Sequence, residues 1–198
     1  MSNSSTLMSK VPLTFANKIT VCRIFAVPFF ILAILYYSPE EEYLRFTALA
    51  IFMFAVISDL IDGYIARTRH QKTKAGAILD PLADKFLLIS AFICLYEVSD
   101  KLYGIRFPVW LVVAVISRDV ILLLGSMIIH LVQGELKIEP TIWGKATTFF
   151  QIVAVLGILL QIKISAYVWP VTLVLTIISG LDYVRSGIKT INSGNSKS

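Results

Sequence analysis

Long apolar runs separated by short polar segments dominate the chain. Six of them are long enough for a helix to cross about 30 Å of hydrocarbon: Ile19–Tyr37, Leu44–Ala66, Asp80–Tyr96, Phe107–Val132, Ala146–Ile162 and Ala166–Tyr183. Apolar residues follow one another within these runs, as in Val120–Leu124 and Ile152–Leu160, without the alternation a transmembrane strand requires. The pattern predicts an all-α integral membrane protein of six transmembrane helices. It forms one domain over residues 1–190, followed by a polar tail at 191–198. Residues 1–18 form a juxtamembrane segment whose later part (Leu7, Met8, Val11, Leu13, Phe15) can lie along the membrane surface. A cleaved signal peptide is not expected, because Tyr36, Tyr37 and three glutamates follow the first run instead of a small-x-small site.

Composition sharpens this reading. Of the 198 residues, 57% are hydrophobic and only 16% charged, and the mean hydropathy is +0.77. A water-soluble globule of this size has too much surface to cover with so few charges. Disorder, a disulfide scaffold and collagen-like repeats are excluded by the same numbers. The net charge of +5 points to anionic lipid or phosphate-bearing partners rather than to nucleic acid. Eleven of the 18 Lys and Arg residues fall on the N-terminal side of the membrane, four on the other side and three within spans. By the positive-inside rule both termini are cytoplasmic. Cys22 and Cys94 lie in apolar runs without metal-ligand spacing and are expected to be buried filler. Tyr36, Tyr37, Trp110, Trp143 and Trp169 lie near span ends and are expected to be interfacial anchors.

Charges inside a bilayer are costly, so those present carry information. Ser58-Asp59-Leu60-Ile61-Asp62-Gly63-Tyr64-Ile65-Ala66-Arg67 closes the second span, and Gly76-Ala77-Ile78-Leu79-Asp80-Pro81-Leu82-Ala83-Asp84-Lys85 opens the third. Asp59 and Asp62 are three apart, and Asp80 and Asp84 four apart, so each pair shares one helix face. A short connection makes the two helices antiparallel neighbours and lets the four carboxylates converge. Such a cluster stays ionised only with cations. Its all-oxygen character favours Mg²⁺ or Mn²⁺, and four ligands suffice for two ions that clamp a diphosphate. Gly63 and Gly76 leave room for a bulky headgroup, and Arg67, Arg69, Lys72 and Lys74 add positive potential. The plainer alternatives are that Asp80-Pro81 caps a helix and that Lys85 neutralises Asp84 or another carboxylate. They account for single aspartates but not for four at this spacing.

The pattern Asp59-x2-Asp62-Gly63-x2-Ala66-Arg67-x8-Gly76-x3-Asp80-x3-Asp84 resembles the signature of the CDP-alcohol phosphatidyltransferase family, with every position filled. The resemblance implies a membrane-embedded enzyme, usually a homodimer, with its active site on the cytoplasmic side. Such an enzyme joins a CDP-linked lipid to an alcohol and releases CMP. Asp59, Asp62 and Asp80 are then metal ligands, and Asp84 is the base on the acceptor hydroxyl and a further ligand. Gly63, Ala66, Arg67 and Gly76, with Asp59, border the CDP-lipid.

A second set bears on the acceptor: Arg118-Asp119 in span four, Lys137 in the following loop, and Trp143-Gly144-Lys145-Ala146-Thr147-Thr148 with Gln151 at span five. Arg118, Lys145 and Lys137 suit a phosphate on the acceptor. The plainer alternatives are an ion pair of Arg118 with Asp119 or a span-six residue, and a solvated Lys137. With Ser179-Gly180-Leu181-Asp182-Tyr183, this set resembles the phosphatidylglycerophosphate synthase branch of the family. That branch implies CDP-diacylglycerol and sn-glycerol 3-phosphate as substrates, in the bacterial cytoplasmic membrane. Inositol phosphate is the closest competing acceptor. Asn17, Thr20, Arg23 and Asp182 are candidate cavity-lining residues, although Arg23 could instead snorkel to the interface. His70 and His130 are expected to be structural or solvated. A cation transporter would need polar groups on the outer halves of several spans, which are apolar here.

Overall fold

The computed structural model describes residues 15–69, 76–104, 106–133 and 141–194, with side chains over 22–61, 85–102, 104, 106–125 and 141–187. Among the described residues six α-helices follow one another: α1 (Phe15–Leu35), α2 (Glu42–Arg69), α3 (Gly76–Tyr103), α4 (Val109–Gln133), α5 (Ile142–Leu159) and α6 (Val168–Gly194), with a 3₁₀ turn at Lys163–Tyr167 before α6. No strand occurs among the described residues. Among the described residues three stretches are long and apolar enough to cross a membrane (Glu42–Ile61, Ile142–Leu159 and Lys163–Gly187), and Cys22–Leu35 is a shorter apolar helix. Phe25, Phe29, Phe54 and Val174 are among the large apolar side chains turned outward, as hydrocarbon rather than water would require.

Several helices outrun the apolar runs that predict them. Helix α2 continues to Arg69, and α3 starts at Gly76, four residues ahead of Asp80. Asp80 therefore lies inside α3 rather than at its N-cap, and the capping alternative fails for it. The cap of α5 is Thr141, whose hydroxyl accepts from the Gly144 N–H at 3.2 Å. Its C-terminus closes with Gln161 N–H to the Ile158 carbonyl and Ile162 N–H to the Gly157 carbonyl, both 2.9 Å. This is a Schellman closure with Gln161 at φ 56°, where glycine is usual. The left-handed backbone costs a non-glycine residue about 1 kcal/mol. Helix α3 ends before Gly104, whose φ of 69° costs glycine nothing.

Two packed units share α3. Helix α1 lies along both α2 and α3. Phe30 of α1 meets Phe52 of α2 at 5.9 Å between ring centres. On the other side α6 packs against α4 and α5, and α3 contacts both α4 and α5. Phe107 joins the units by touching Phe92 of α3 (5.4 Å) and the edge of Trp169 of α6 (5.3 Å). Trp169 and Tyr37 are therefore buried rather than interfacial, whereas Tyr36, Trp110 and Trp143 are exposed as expected. Cys94 is buried, but Cys22 is exposed on α1, since the neighbouring Arg23 takes the inward direction.

Helix α6 runs antiparallel to α5 and parallel to α4. Thr147 Oγ1 donates to the Leu175 carbonyl (3.0 Å), and Thr172 Oγ1 to the Phe150 carbonyl (3.4 Å). Along α4, Arg118 meets Ser179 and the Tyr183 hydroxyl meets the Leu122 carbonyl (3.2 Å), both sixty-one residues apart in sequence. At the far end Arg45 of α2 caps α5, donating to the Leu159 carbonyl at 2.7 Å and to Glu42 at 2.7 Å.

The α5–α6 connection depends on Gly157, since a Cβ there would lie 2.3 Å from Ser165 Cβ. Gly157→Ala is expected to destabilise by about 1–3 kcal/mol through overpacking, read as a lower thermal midpoint in detergent. Adding Ser165→Gly should restore most of the loss, and a double variant as unstable as the single one would remove this contact as the cause.

Candidate active site

The signature residues flank the α2–α3 connection. Asp59, Asp62, Gly63, Ala66 and Arg67 occupy the last third of α2, and Gly76, Asp80 and Asp84 the first three turns of α3. The helical repeat keeps Asp59 with Asp62, and Asp80 with Asp84, on common faces. Asp59 is described in full. Its carboxylate is 39% exposed, and Oδ1 accepts from Arg23 Nη1 at 3.1 Å. Arg23 itself is 2% exposed. It turns inward from α1 to the first signature aspartate and does not snorkel. The side chains of Asp62, Ala66, Arg67, Asp80 and Asp84 lie outside the described ones, as do those of Asn17 and Thr20 on α1 and of His130 on α4. His70, Lys72, Lys74 and Lys137 lie outside the described residues altogether. Among the described side chains no three metal-type ligands come together, because only one of the four aspartates is among them. A partly open carboxylate at a helix end, in an all-oxygen set, fits a hard divalent ion.

A second cluster is buried between α3, α4 and α6. Asp119 is fully buried, and its Oδ1 accepts from both Lys85 Nζ (3.0 Å) and Arg118 Nη1 (2.6 Å). Arg118 Nη2 donates to Ser179 Oγ at 2.8 Å. The ion-pair alternative for Arg118 is therefore realised with Asp119, while its span-six contact is a hydrogen bond to the neutral Ser179 hydroxyl. The two do not exhaust the guanidinium. Of its five N–H groups two are taken by these contacts, and Nε is buried without a hydrogen-bond partner. Asp119 Oδ2 is in the same position. Gly144 allows α5 to approach, since a Cβ there would sit 3.3 Å from Arg118 Nη2. The adjacent Lys145 is exposed in the first turn of α5, and Asp182 is half-buried on α6. Gln151 is fully buried with neither amide atom bonded.

Lys85 is the residue whose partner sequence reasoning left open. Asp84 is adjacent to it in the chain, but the ammonium crosses to α4 and meets Asp119. A carboxylate near the middle of an apolar span is the signal that could have marked Asp119 as a partner for Lys85.

Residues 13–178 match the family described as CDP-alcohol phosphatidyltransferase. The chain belongs to the CDP-alcohol phosphatidyltransferase family. A Mycobacterium tuberculosis protein named "Probable phosphatidylglycerophosphate synthase" is 34% identical over 182 residues, covering 89% of this chain and 82% of its own. A CDP-diacylglycerol–glycerol-3-phosphate 3-phosphatidyltransferase of Aquifex aeolicus is 33% identical, covering 88% and 96%. One of the same name from Bacillus subtilis is 30% identical, covering 90% and 97%. With its apolar helices, membership in this family makes the chain an integral membrane enzyme.

Gly144 tests the tightness of this cluster. Gly144→Val is expected to push the Arg118 guanidinium off Ser179 and lower the thermal midpoint by several degrees. Gly144→Ala, which asks for a shift of only tenths of an ångström, should cost far less. Equal effects of the two would show that the gap beside Arg118 is not limiting.

Proposed function

We propose that this chain transfers a phosphatidyl group from CDP-diacylglycerol to sn-glycerol 3-phosphate, giving phosphatidylglycerophosphate and CMP. The reading rests on one observation above others. Every signature position is filled, in a chain that aligns over most of its length with relatives named for this reaction. We place the enzyme in the bacterial cytoplasmic membrane as a homodimer of six-span subunits, with both termini and the active site on the cytoplasmic side. The distribution of Lys and Arg supports that sidedness.

In this reading Asp59, Asp62, Asp80 and Asp84 hold two divalent ions, Mg²⁺ or Mn²⁺. Those ions, when bound, neutralise the diphosphate of the nucleotide-lipid. Gly63, Ala66 and Gly76 give the CDP moiety backbone-close access, and Arg67 adds positive charge beside it. Arg23, paired with Asp59 at 3.1 Å, orients that carboxylate from the α1 side. Arg118 and Lys145, with Lys137, receive the phosphate of the acceptor, and the N–H groups that Arg118 keeps in reserve are the feature that favours this. Asn17, Thr20 and Asp182 are further candidates for contacting the substrates in this reading.

The reaction itself is a displacement at phosphorus. Asp84 takes the proton of the acceptor hydroxyl as the oxygen attacks the phosphatidyl phosphorus. The new P–O bond forms while the P–O bond to CMP breaks, and CMP leaves with the bonding pair. Asp84 then returns its proton to solvent. Diacylglycerol tails enter sideways from the bilayer, and glycerol 3-phosphate enters from water.

An acceptor panel tests the assignment. With CDP-diacylglycerol and radiolabelled glycerol 3-phosphate, inositol phosphate or serine, purified protein should label only the glycerol 3-phosphate product, and a chelator should abolish CMP release. Labelling from inositol phosphate instead would reassign the acceptor, and full activity after chelation would remove the metals.

Asp84→Asn is expected to lower turnover by at least about 10²-fold, as loss of a general base does, while the protein still accumulates in the membrane. Undiminished turnover would take Asp84 out of the base role.

A further inference from the structure

Asp119 sits where two cations from different helices meet. Lys85 follows directly on the last signature aspartate in α3, and Arg118 belongs to the acceptor end of the site in α4. Both donate to the same oxygen, Oδ1, at 3.0 and 2.6 Å. The carboxylate has no exposed surface, and Arg118 is 6% exposed. A buried ion pair of this kind contributes little net stability, because desolvation offsets most of the attraction. Its geometric effect is larger. The Arg118 fork is fixed at one tip by Asp119 and at the other by Ser179, which fixes the guanidinium plane and with it the directions of the remaining N–H groups. The unbonded Nε is buried among them. Buried donors and acceptors in native proteins almost always have partners, so an unpaired donor on a clamped guanidinium marks a place for a ligand oxygen.

We infer that Asp119 is a positioning residue that fixes the acceptor-binding cation Arg118 relative to the signature end of α3, through the carboxylate it shares with Lys85. This inference rests on the proposed transferase reading. It assigns a role that neither the aspartate signature nor the phosphate-binding cations supply. The α3–α4 link sets how far the acceptor phosphate lies from the group that takes the hydroxyl proton. Misplacement of about 1 Å there is enough to slow a displacement reaction severely. Ser179 performs the same office from α6.

The experiment uses the full-length protein in detergent and measures CMP release with each substrate varied in turn. Asp119→Asn keeps the shape of the side chain and removes its charge. It should raise KM for glycerol 3-phosphate about 10-fold and leave KM for CDP-diacylglycerol within about 2-fold. Arg118→Ala should move the same constant further in the same direction. Lys85→Met should be non-additive with Asp119→Asn, because the two act through one contact. A purely structural role would lower the amount of active protein and leave both KM values unchanged, and that result overturns the inference. A lower KM for glycerol 3-phosphate overturns it as well, since Asp119 would then compete with the acceptor phosphate. If Asp119→Asn does not accumulate, Ser179→Ala removes the other anchor without touching charge, and an unchanged KM in that variant is equally fatal. Wild-type protein that releases no CMP with glycerol 3-phosphate defeats the functional proposal itself. Wild-type turnover with unaltered variant constants defeats only the role of Asp119.

Discussion

Burying charge in an apolar bundle is possible only if each charge finds its partner inside the protein, and that constraint organises this structure. Arg45, Arg23, Lys85, Arg118 and Asp119 are all drawn into contacts that join different helices. Each contact marks where a hydrophobic seam would otherwise have sufficed. Near one end of α2, Arg45 satisfies the Leu159 carbonyl at the end of α5. Towards the other, Arg23 meets the first of the signature aspartates. Between α3, α4 and α6, a single carboxylate gathers two cations. Water is absent from such surroundings, so an unpaired group costs several kcal/mol. The side chains therefore select the helix arrangement as much as the arrangement places the side chains.

Close approach of backbones is the second organising feature. Without a strong hydrophobic drive between helices in lipid, association depends on fit and on hydrogen bonds. The seams here are accordingly built from small and hydroxylated residues. Gly157 against Ser165, Gly125 against the Tyr183 ring and Gly144 against Arg118 each leave no room for a Cβ or only a tight fit. Thr147, Thr172 and Thr176 return their hydroxyls to helix carbonyls, so the polar atoms cost little where they are buried. The chemistry proposed for the site benefits from the same economy, since Gly144 lets α5 come up against Arg118 in the acceptor cluster.

Much of the fold is legible in the sequence because apolar run length is a strong signal. Each of the six runs corresponds to one helix, and Arg118 is buried as a charge near mid-span should be. The errors have common causes. Trp169 and Tyr37 lie near span ends, where hydropathy cannot separate an anchor at the headgroups from a side chain folded under its neighbours. Cys22 and Arg23 are adjacent, and a helix cannot turn both inward. Asp80 looks like a cap because Pro81 follows it, yet α3 begins a full turn earlier.

The sequence by itself determined the helical class, the grouping of the aspartates on common faces and the family, since these follow from composition, from a 3.6-residue repeat and from a contiguous motif. Only the tertiary structure decided that α1 packs along both α2 and α3, that Lys85 reaches across to Asp119 on α4, and that Arg118 is clamped by Ser179. Those contacts join residues 34 and 61 positions apart. Partners at such distances are chosen by which helix faces pack together, and the local pattern of a single span carries no record of that choice.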